Sequence, residues 1–383
     1  MKKPDNPFLI SGYHSPPYFC NRNDEVKHLE ESLLNGRNIT LFSPRRLGKT
    51  GLIHHFFYRI REKKINSVYV DIFGTENLSQ FIRQFANAAI RSIAVNKEKF
   101  IEKAMKFFGS IRPQFSFNER SGMPEMTFAL QSDREKGKTL DDIFDFLESQ
   151  RQPNVIAFDE FQQINEYPEK NTEKLLRSSI QQLKNSQFLF SGSQRHLLLS
   201  MFSDAKRAFY QSTGFLSLKK LNRTEYFNFI SIHFKKDRQI IEPEAVDFIL
   251  DWTKGYTFYT QDICNKIFLS HYKKITIAEV KKAIQEIFYE REVIYYNYRK
   301  ILPEQQYRLL KAIAAEDIVT EPTGQNFINK HGLGNPSTVR KSLKALMEKE
   351  LIYDSSLNEN ASYEVYDVFL EKWLVFMEQN NGR

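Results

Sequence analysis

Apolar positions along this chain recur in two rhythms, and the places where one gives way to the other divide it into elements. A turn-rich opening through Tyr18 leads into an amphipathic helix over about 23–34, capped by Asn23 or Asp24 and stopped by Asn35-Gly36. The short run at 38–42 predicts a buried strand, 43–48 a turn, and 49–63 a second helix. A buried strand at 67–72 and a helix at 79–94 follow. Between about 103 and 138 the helical rhythm breaks. The segments 114–117 and 126–130, around Ser121-Gly122, predict a hairpin inserted at about 111–131. Helix 140–148, strand 154–158, helix 171–183 and strand 187–190 then resume the order. Alternating strands and helices predict an α/β domain over 1–218, a parallel sheet with helices on both faces.

Beyond Asn222 the spacing is that of short amphipathic helices, which predicts a helical lid domain over 219–298. The end differs again. Three helical patterns at 304–315, 323–330 and 337–349 precede strands at 351–353 and 363–366, joined by a polar turn at Asn358-Glu359-Asn360. Three helices and a two-stranded wing predict a winged helix over 299–383.

Composition narrows the class. A chain of 383 residues exceeds one ordinary core, and its 41% hydrophobic content contains no apolar run long enough to cross a bilayer. The opening MKKPDNPFLI meets proline and polar residues where a secretory signal would be continuously apolar. Cys20 and Cys264 have neither disulfide-framework nor zinc spacing. The expectation is a cytoplasmic protein with no membrane partner. A formal charge of +8 permits attraction to nucleic acid, but clusters such as Arg61-Glu62-Lys63-Lys64 and Glu348-Lys349-Glu350 mix signs as solvated helix faces do.

One segment carries chemistry. Binding a phosphate requires backbone N–H groups converging on an anion, a helix N-terminus, a lysine for the terminal phosphates and a hydroxyl for magnesium. Ser43-Pro44-Arg45-Arg46-Leu47-Gly48-Lys49-Thr50, followed by Gly51, supplies these in order between the strand at 38–42 and an apolar helix. Ser43 stands where the motif has glycine, so the loop must start in a conformation open to a residue with a Cβ. Val155-Ile156-Ala157-Phe158-Asp159-Glu160 is the partner, a buried strand delivering two carboxylates at its C-terminal end, where open α/β sheets bind ligands. Asp159, with Thr50, is the candidate magnesium ligand. Glu160 is the candidate group that orients or deprotonates the attacking water. ATP and Mg2+ are the implied ligands.

These residues resemble the archaeal-type ATPases of the STAND branch of AAA+-related P-loop proteins, over most of the chain. Its marks are Phe19-Cys20-Asn21-Arg22-Asn23-Asp24-Glu25, similar to the family's F-x-G-R-x-x-E box with Asn21 for glycine, then Pro44 to Thr50, then Phe158-Asp159-Glu160. The resemblance implies that Phe19 and Arg22 lie near adenine and ribose; the residues alone equally allow Phe19 to be a hydrophobic staple for the first helix. It implies that Ser193, or alternatively Ser191, reads the γ-phosphate, and that Arg207 is the arginine near the nucleotide; the residues alone equally allow Arg207 to be a solvated surface arginine. It also aligns Gly255-Tyr256-Thr257-Phe258-Tyr259 with a G-x-P-x-Y segment of the helical domain, with Thr257 for proline.

Two readings follow. In one, ATP binding and slow hydrolysis switch the affinity for a protein partner or for self-association. In the other, the helix from Ser337 presents Arg340, Lys341 and Lys344 to DNA.

Overall fold

Segments buried on both faces become the middle of a sheet, and those buried on one become its edges. In the computed structural model, which describes residues 4–93, 97–108, 113–117, 122, 124–130, 132–355 and 361–381, the chain divides into two units. The first is Ser11–Glu225. It contains α1 (Asn23–Leu33), β1 (Ile39–Phe42), α2 (Lys49–Ile60), β2 (Asn66–Asp71), α3 (Leu78–Ile93), α4 (Lys97–Phe108), β3 (Gln114–Phe117), β4 (Pro124–Thr127), α5 (Asp133–Glu148), β5 (Asn154–Asp159), α6 (Thr172–Ile180), β6 (Ser186–Gly192), α7 (Arg195–Ser203) and β7 (Gly214–Ser217).

Five parallel strands form the sheet in the order β2-β5-β6-β1-β7. All residues of β1 and β5 are buried, whereas the edge strand β2 alternates. The sheet therefore carries helices on both faces, as expected for a P-loop NTPase. Phe158 on β5 shows where the aromatic residues go: its ring lies 5.3 Å from Phe81 and 5.1 Å from Phe85 of α3, and stacks on Phe188 at 6.2 Å. Fully burying one such ring stabilises by roughly 1.5–3 kcal/mol.

Several local expectations are corrected. The first helix is capped by Arg22 in the left-handed region (φ 76°), and Asn21 Oδ1 accepts the Asn23 N–H, so neither Asn23 nor Asp24 is the cap. The second hairpin strand is Pro124–Thr127, two residues earlier than its apolar run suggested; positions 118–121 and 123, including the Ser121 turn, lie outside the described residues. Helix α5 begins at Asp133 because Ser132 and Glu135 make a reciprocal capping box that overrides Gly137 in its second turn. Helices α4 and α7 and strand β7 are additional to the expected elements. In α4 the signal was Phe100, Ala104 and Phe108, a buried stripe four residues apart.

The second unit is Pro4–Ile10 with the chain from Tyr226 onward. Its elements are α8 (Arg223–Lys236), β8 (Ile240–Ile241), α9 (Pro243–Trp252), α10 (Thr257–Leu269), β9 (Lys274–Ile275), α11 (Ile277–Ile301), α12 (Glu304–Glu316), α13 (Gln325–His331), α14 (Pro336–Glu348), β10 (Ile352–Asp354), β11 (Tyr363–Val365) and α15 (Val368–Asn381). Helix α11 is one uninterrupted 25-residue helix, not the short helices the pattern suggested. The antiparallel pair β10 and β11 forms the wing after three helices; the turn at 358–360 lies outside the described residues. Thr257 is the first residue of α10, a position that suits proline and also accepts threonine.

The turn between α9 and α10 is bonded to the winged helix. Lys254 Nζ pairs with Asp317, with Glu371 at 2.7 Å and with Glu364 at 3.7 Å. Tyr256 and Tyr353 share a 2.6 Å hydroxyl contact. Burial pushes the Glu371 carboxyl up, while Lys254 and Lys372 pull it down. No helix among the described residues is long and apolar enough to cross a membrane.

Candidate functional site

The strand order brings the candidate residues together. Because β6 lies between β1 and β5, the turns that leave all three strands open on one edge of the sheet. The loop after β1 turns into α2 through Gly48 (φ 92°) and Arg46 (φ 69°), both left-handed. Ser43 is buried and is not among the residues with positive φ, so a side chain is accommodated at the loop's start. Its hydroxyl donates to the Pro44 carbonyl at 2.8 Å.

Lys49, 6% exposed, donates to Ser43 O at 3.3 Å and Ser43 Oγ at 3.4 Å. Burial lowers its pKa below the ordinary lysine value; Glu160 and Asp159 act in the opposite sense, and Arg45 adds to the lowering. An ammonium held in this way is poised for an anion. Helix α2 has no acidic residue in its first turn to compete for that role.

At the end of β5, Asp159 Oδ2 accepts the Thr50 hydroxyl at 2.7 Å and the Tyr69 hydroxyl at 2.8 Å, and Oδ1 accepts the Glu160 N–H at 3.1 Å. Threonine hydroxyl and carboxylate are the hard oxygen donors that magnesium takes, and the two are already adjacent. The set fits the ion. Magnesium takes one or two carboxylates and otherwise water and phosphate oxygens, a donor set that Asp159 and Thr50 match.

Glu160 is itself in the left-handed region (φ 57°), so its side chain leaves the strand direction. Its Oε2 accepts from Ser193 N at 3.0 Å, Ser193 Oγ at 2.8 Å and Gln162 Nε2 at 2.6 Å. Arg45 Nε donates to the same Ser193 hydroxyl at 3.2 Å. Gly192 lets this happen: a Cβ there would lie 2.1 Å from Gln162 Oε1. Ser191 Oγ, the alternative to Ser193, is buried without a hydrogen-bond partner.

The remaining candidates have clear surroundings. Phe19 stacks on His55 of α2 at 4.4 Å and meets Tyr13 at 5.7 Å, and a Cβ on Gly51 would lie 3.3 Å from its ring. It thus borders the first turn of the phosphate-loop helix. Arg22, 4% exposed, donates to Glu25 Oε1 at 2.8 Å, Lys219 O at 2.6 Å and Leu47 O at 3.3 Å. Its guanidinium therefore tethers the loop backbone. Replacing Arg22 with methionine, which keeps the buried stem, is expected to cost about 1.5–3 kcal/mol in denaturant unfolding; an unchanged midpoint would refute that tether. Arg207 pairs with Glu173 at 2.7 Å and donates to Asn165, and is not brought to the loop by these bonds. Tyr69 and Gln162 were missed. Neither belongs to a motif, and only strand register and chain reversal bring them to the two carboxylates.

Comparison with known proteins identifies the family and the fold. A sequence profile described as an ATPase domain predominantly from Archaea matches residues 19–261, and one described as a probable winged helix domain matches residues 293–375. No curated protein matches the chain in sequence. Among solved structures, the Walker-type ATPase of Pyrococcus abyssi is 17% identical, with 96% of this chain and 99% of that one covered and a TM-score of 0.65. The Aeropyrum pernix ORC2 protein, solved as ADPNP–ADP complexes, is 15% identical, with 97% and 96% covered and a TM-score of 0.59. The Aeropyrum pernix ORC1 protein in complex with DNA is 14% identical, with 98% and 97% covered and a TM-score of 0.54. These likenesses are of fold.

Proposed function

The chain belongs to the ATPase domain family found predominantly in Archaea, and from that premise we propose that it binds Mg-ATP, hydrolyses it slowly, and uses the nucleotide state to switch partner binding or self-association. The observation that carries this is the convergence of Lys49 and Thr50 at the start of α2 with Asp159, Glu160 and Ser193 at neighbouring strand ends. Lys49 and the N–H groups from Gly48 to Gly51 would hold the terminal phosphates, with Pro44 to Leu47 shaping the loop. Thr50 and Asp159 would hold magnesium, which when bound supplies charge neutralisation of the phosphoryl group. Glu160 would take the proton of the attacking water, and Ser193, beside Arg45, would sense the γ-phosphate. Phe19, beside Gly51 and His55, would contact the base, while Arg22 holds the loop. Arg207 is engaged by Glu173 and Asn165 and would have to leave them to act. We assign residues 1–218, apart from Pro4–Ile10 of the second unit, to catalysis, 219–298 to a lid and 299–383 to a winged helix, with the last boundary falling inside α11. Phosphate release with Mg2+ and with EDTA tests the reaction: no Mg2+-dependent release above a Glu160→Gln control would sink it.

Partner or self-association is favoured by apolar surface on α11, where Tyr289, Val293 and Ile294 are 74%, 80% and 59% exposed. A second reading, ATP-regulated DNA binding, is favoured by Arg340, Lys341 and Lys344, all exposed on α14. Lys344, however, already faces Glu348 at 3.9 Å. A labelled duplex titrated at two salt concentrations is expected to bind weakly, and replacing the three cations together with glutamine is expected to leave ATP turnover unchanged. Tight, salt-steep binding lost in that variant would transfer the function to DNA.

A further inference from the structure

We propose that Tyr69 is a positioning residue for the magnesium carboxylate, a role that rests on the phosphate-site reading above. Asp159 is 3% exposed, and a buried carboxylate keeps one geometry only if its oxygens are held. Three donors hold it: the Thr50 and Tyr69 hydroxyls on Oδ2, at 2.7 and 2.8 Å, and the Glu160 N–H on Oδ1, at 3.1 Å. The Thr50 hydroxyl is the one that a phosphate loop turns to magnesium. Tyr69 is then the only side chain among these donors left to fix the carboxylate while the ion is bound.

Its place in the fold suits that task. Tyr69 pairs in register with Ala157, two residues before Asp159, so a shorter hydroxyl side chain on β2 would fall short of the strand end. The ring is braced by His54 of α2, with centroids 4.5 Å apart, so the same helix that starts with Lys49 sets the phenol's direction. A phenol holds the carboxylate as a neutral donor, adding no charge beside the metal. Tyr69 also borders a groove of about 530 Å³ with Asp71, Gln84 and Arg91. Tyr69→Phe removes the bond to Asp159 while keeping the ring against His54.

The test follows binding of a fluorescent non-hydrolysable ATP analogue to the full chain as Mg2+ is titrated. In Tyr69→Phe the Mg2+ concentration for half-maximal binding is expected to rise about tenfold, the scale on which partners of metal ligands act. Affinity for the analogue in EDTA should stay with the parent, since packing against His54 is retained. Superimposable Mg2+ curves for parent and variant, or an equal loss with and without Mg2+, would overturn the proposal. A parent whose binding ignores Mg2+ altogether would instead remove the phosphate-site reading on which it stands.

Discussion

Lys49→Ala is expected to lose about a hundredfold or more in affinity for ATP while keeping the fold, because the side chain that would meet the terminal phosphates contributes little to holding the empty protein together. Its ammonium is buried against one carbonyl and one hydroxyl of Ser43, and burial lowers its pKa. A charge-assisted bond to an anion lost at such a site is worth roughly 3 kcal/mol, or two decades in the dissociation constant. Stability should respond in a pH-dependent way. With the folded pKa below the unfolded value, the unfolded state binds more protons between the two, so the parent gains stability as the pH climbs through that window toward about 10.4. The alanine variant lacks that contribution. Calorimetric titration with ATP and denaturant unfolding along a pH series up to about 10.4 check both halves. Unchanged affinity in a folded variant would remove Lys49 from the site.

The same residue illustrates what the sequence made legible. Lys49, Thr50, Asp159 and Glu160 announce themselves through short motifs in the right setting, a strand before the loop and a buried strand before the carboxylates. Both settings are read from apolar runs four to six residues long. The sheet's strand order was not legible. That β6 lies between β1 and β5, and so delivers Ser193 to both Arg45 and Glu160, depends on crossovers that apolar spacing does not encode. In the sequence Tyr69 is one apolar position of a buried strand; its bond to Asp159 spans ninety positions and arises from register. Likewise the cap of α1 went unrecognised because Arg22 is an unusual residue for positive φ. Its three bonds to Glu25, Lys219 and Leu47 hold it there. Local rules failed where tertiary contacts overrode them, and these are the contacts that build the site.

Glu160→Gln is expected to bind Mg-ATP about as tightly as the parent and to hydrolyse it about 10²–10⁴-fold more slowly, the range that a positioned general base supplies. The substitution keeps the volume and one acceptor oxygen, so the Ser193 N–H and hydroxyl that now meet Oε2 retain a partner. Basicity is lost, and with it the place for the proton of the attacking water. Binding is spared because Glu160 faces Ser193 and Gln162, while the loop lysine bonds to Ser43. Removing a negative charge beside the phosphates can only ease their approach. Single-turnover hydrolysis measured beside equilibrium binding separates the two effects, and the slow variant should accumulate the ATP-bound state. That trapped state gives the switch reading its sharpest test: a partner or a second copy retained by Glu160→Gln with ATP and released by Lys49→Ala would follow the nucleotide. Single-turnover rates equal to the parent's would show that the base lies elsewhere. Both oxygens of Asp159 accept bonds, Oδ2 from Thr50 and Tyr69 and Oδ1 from the Glu160 N–H, whereas the bonds from Ser193 and Gln162 all fall on Oε2 of Glu160, which leaves its Oε1 to act on water.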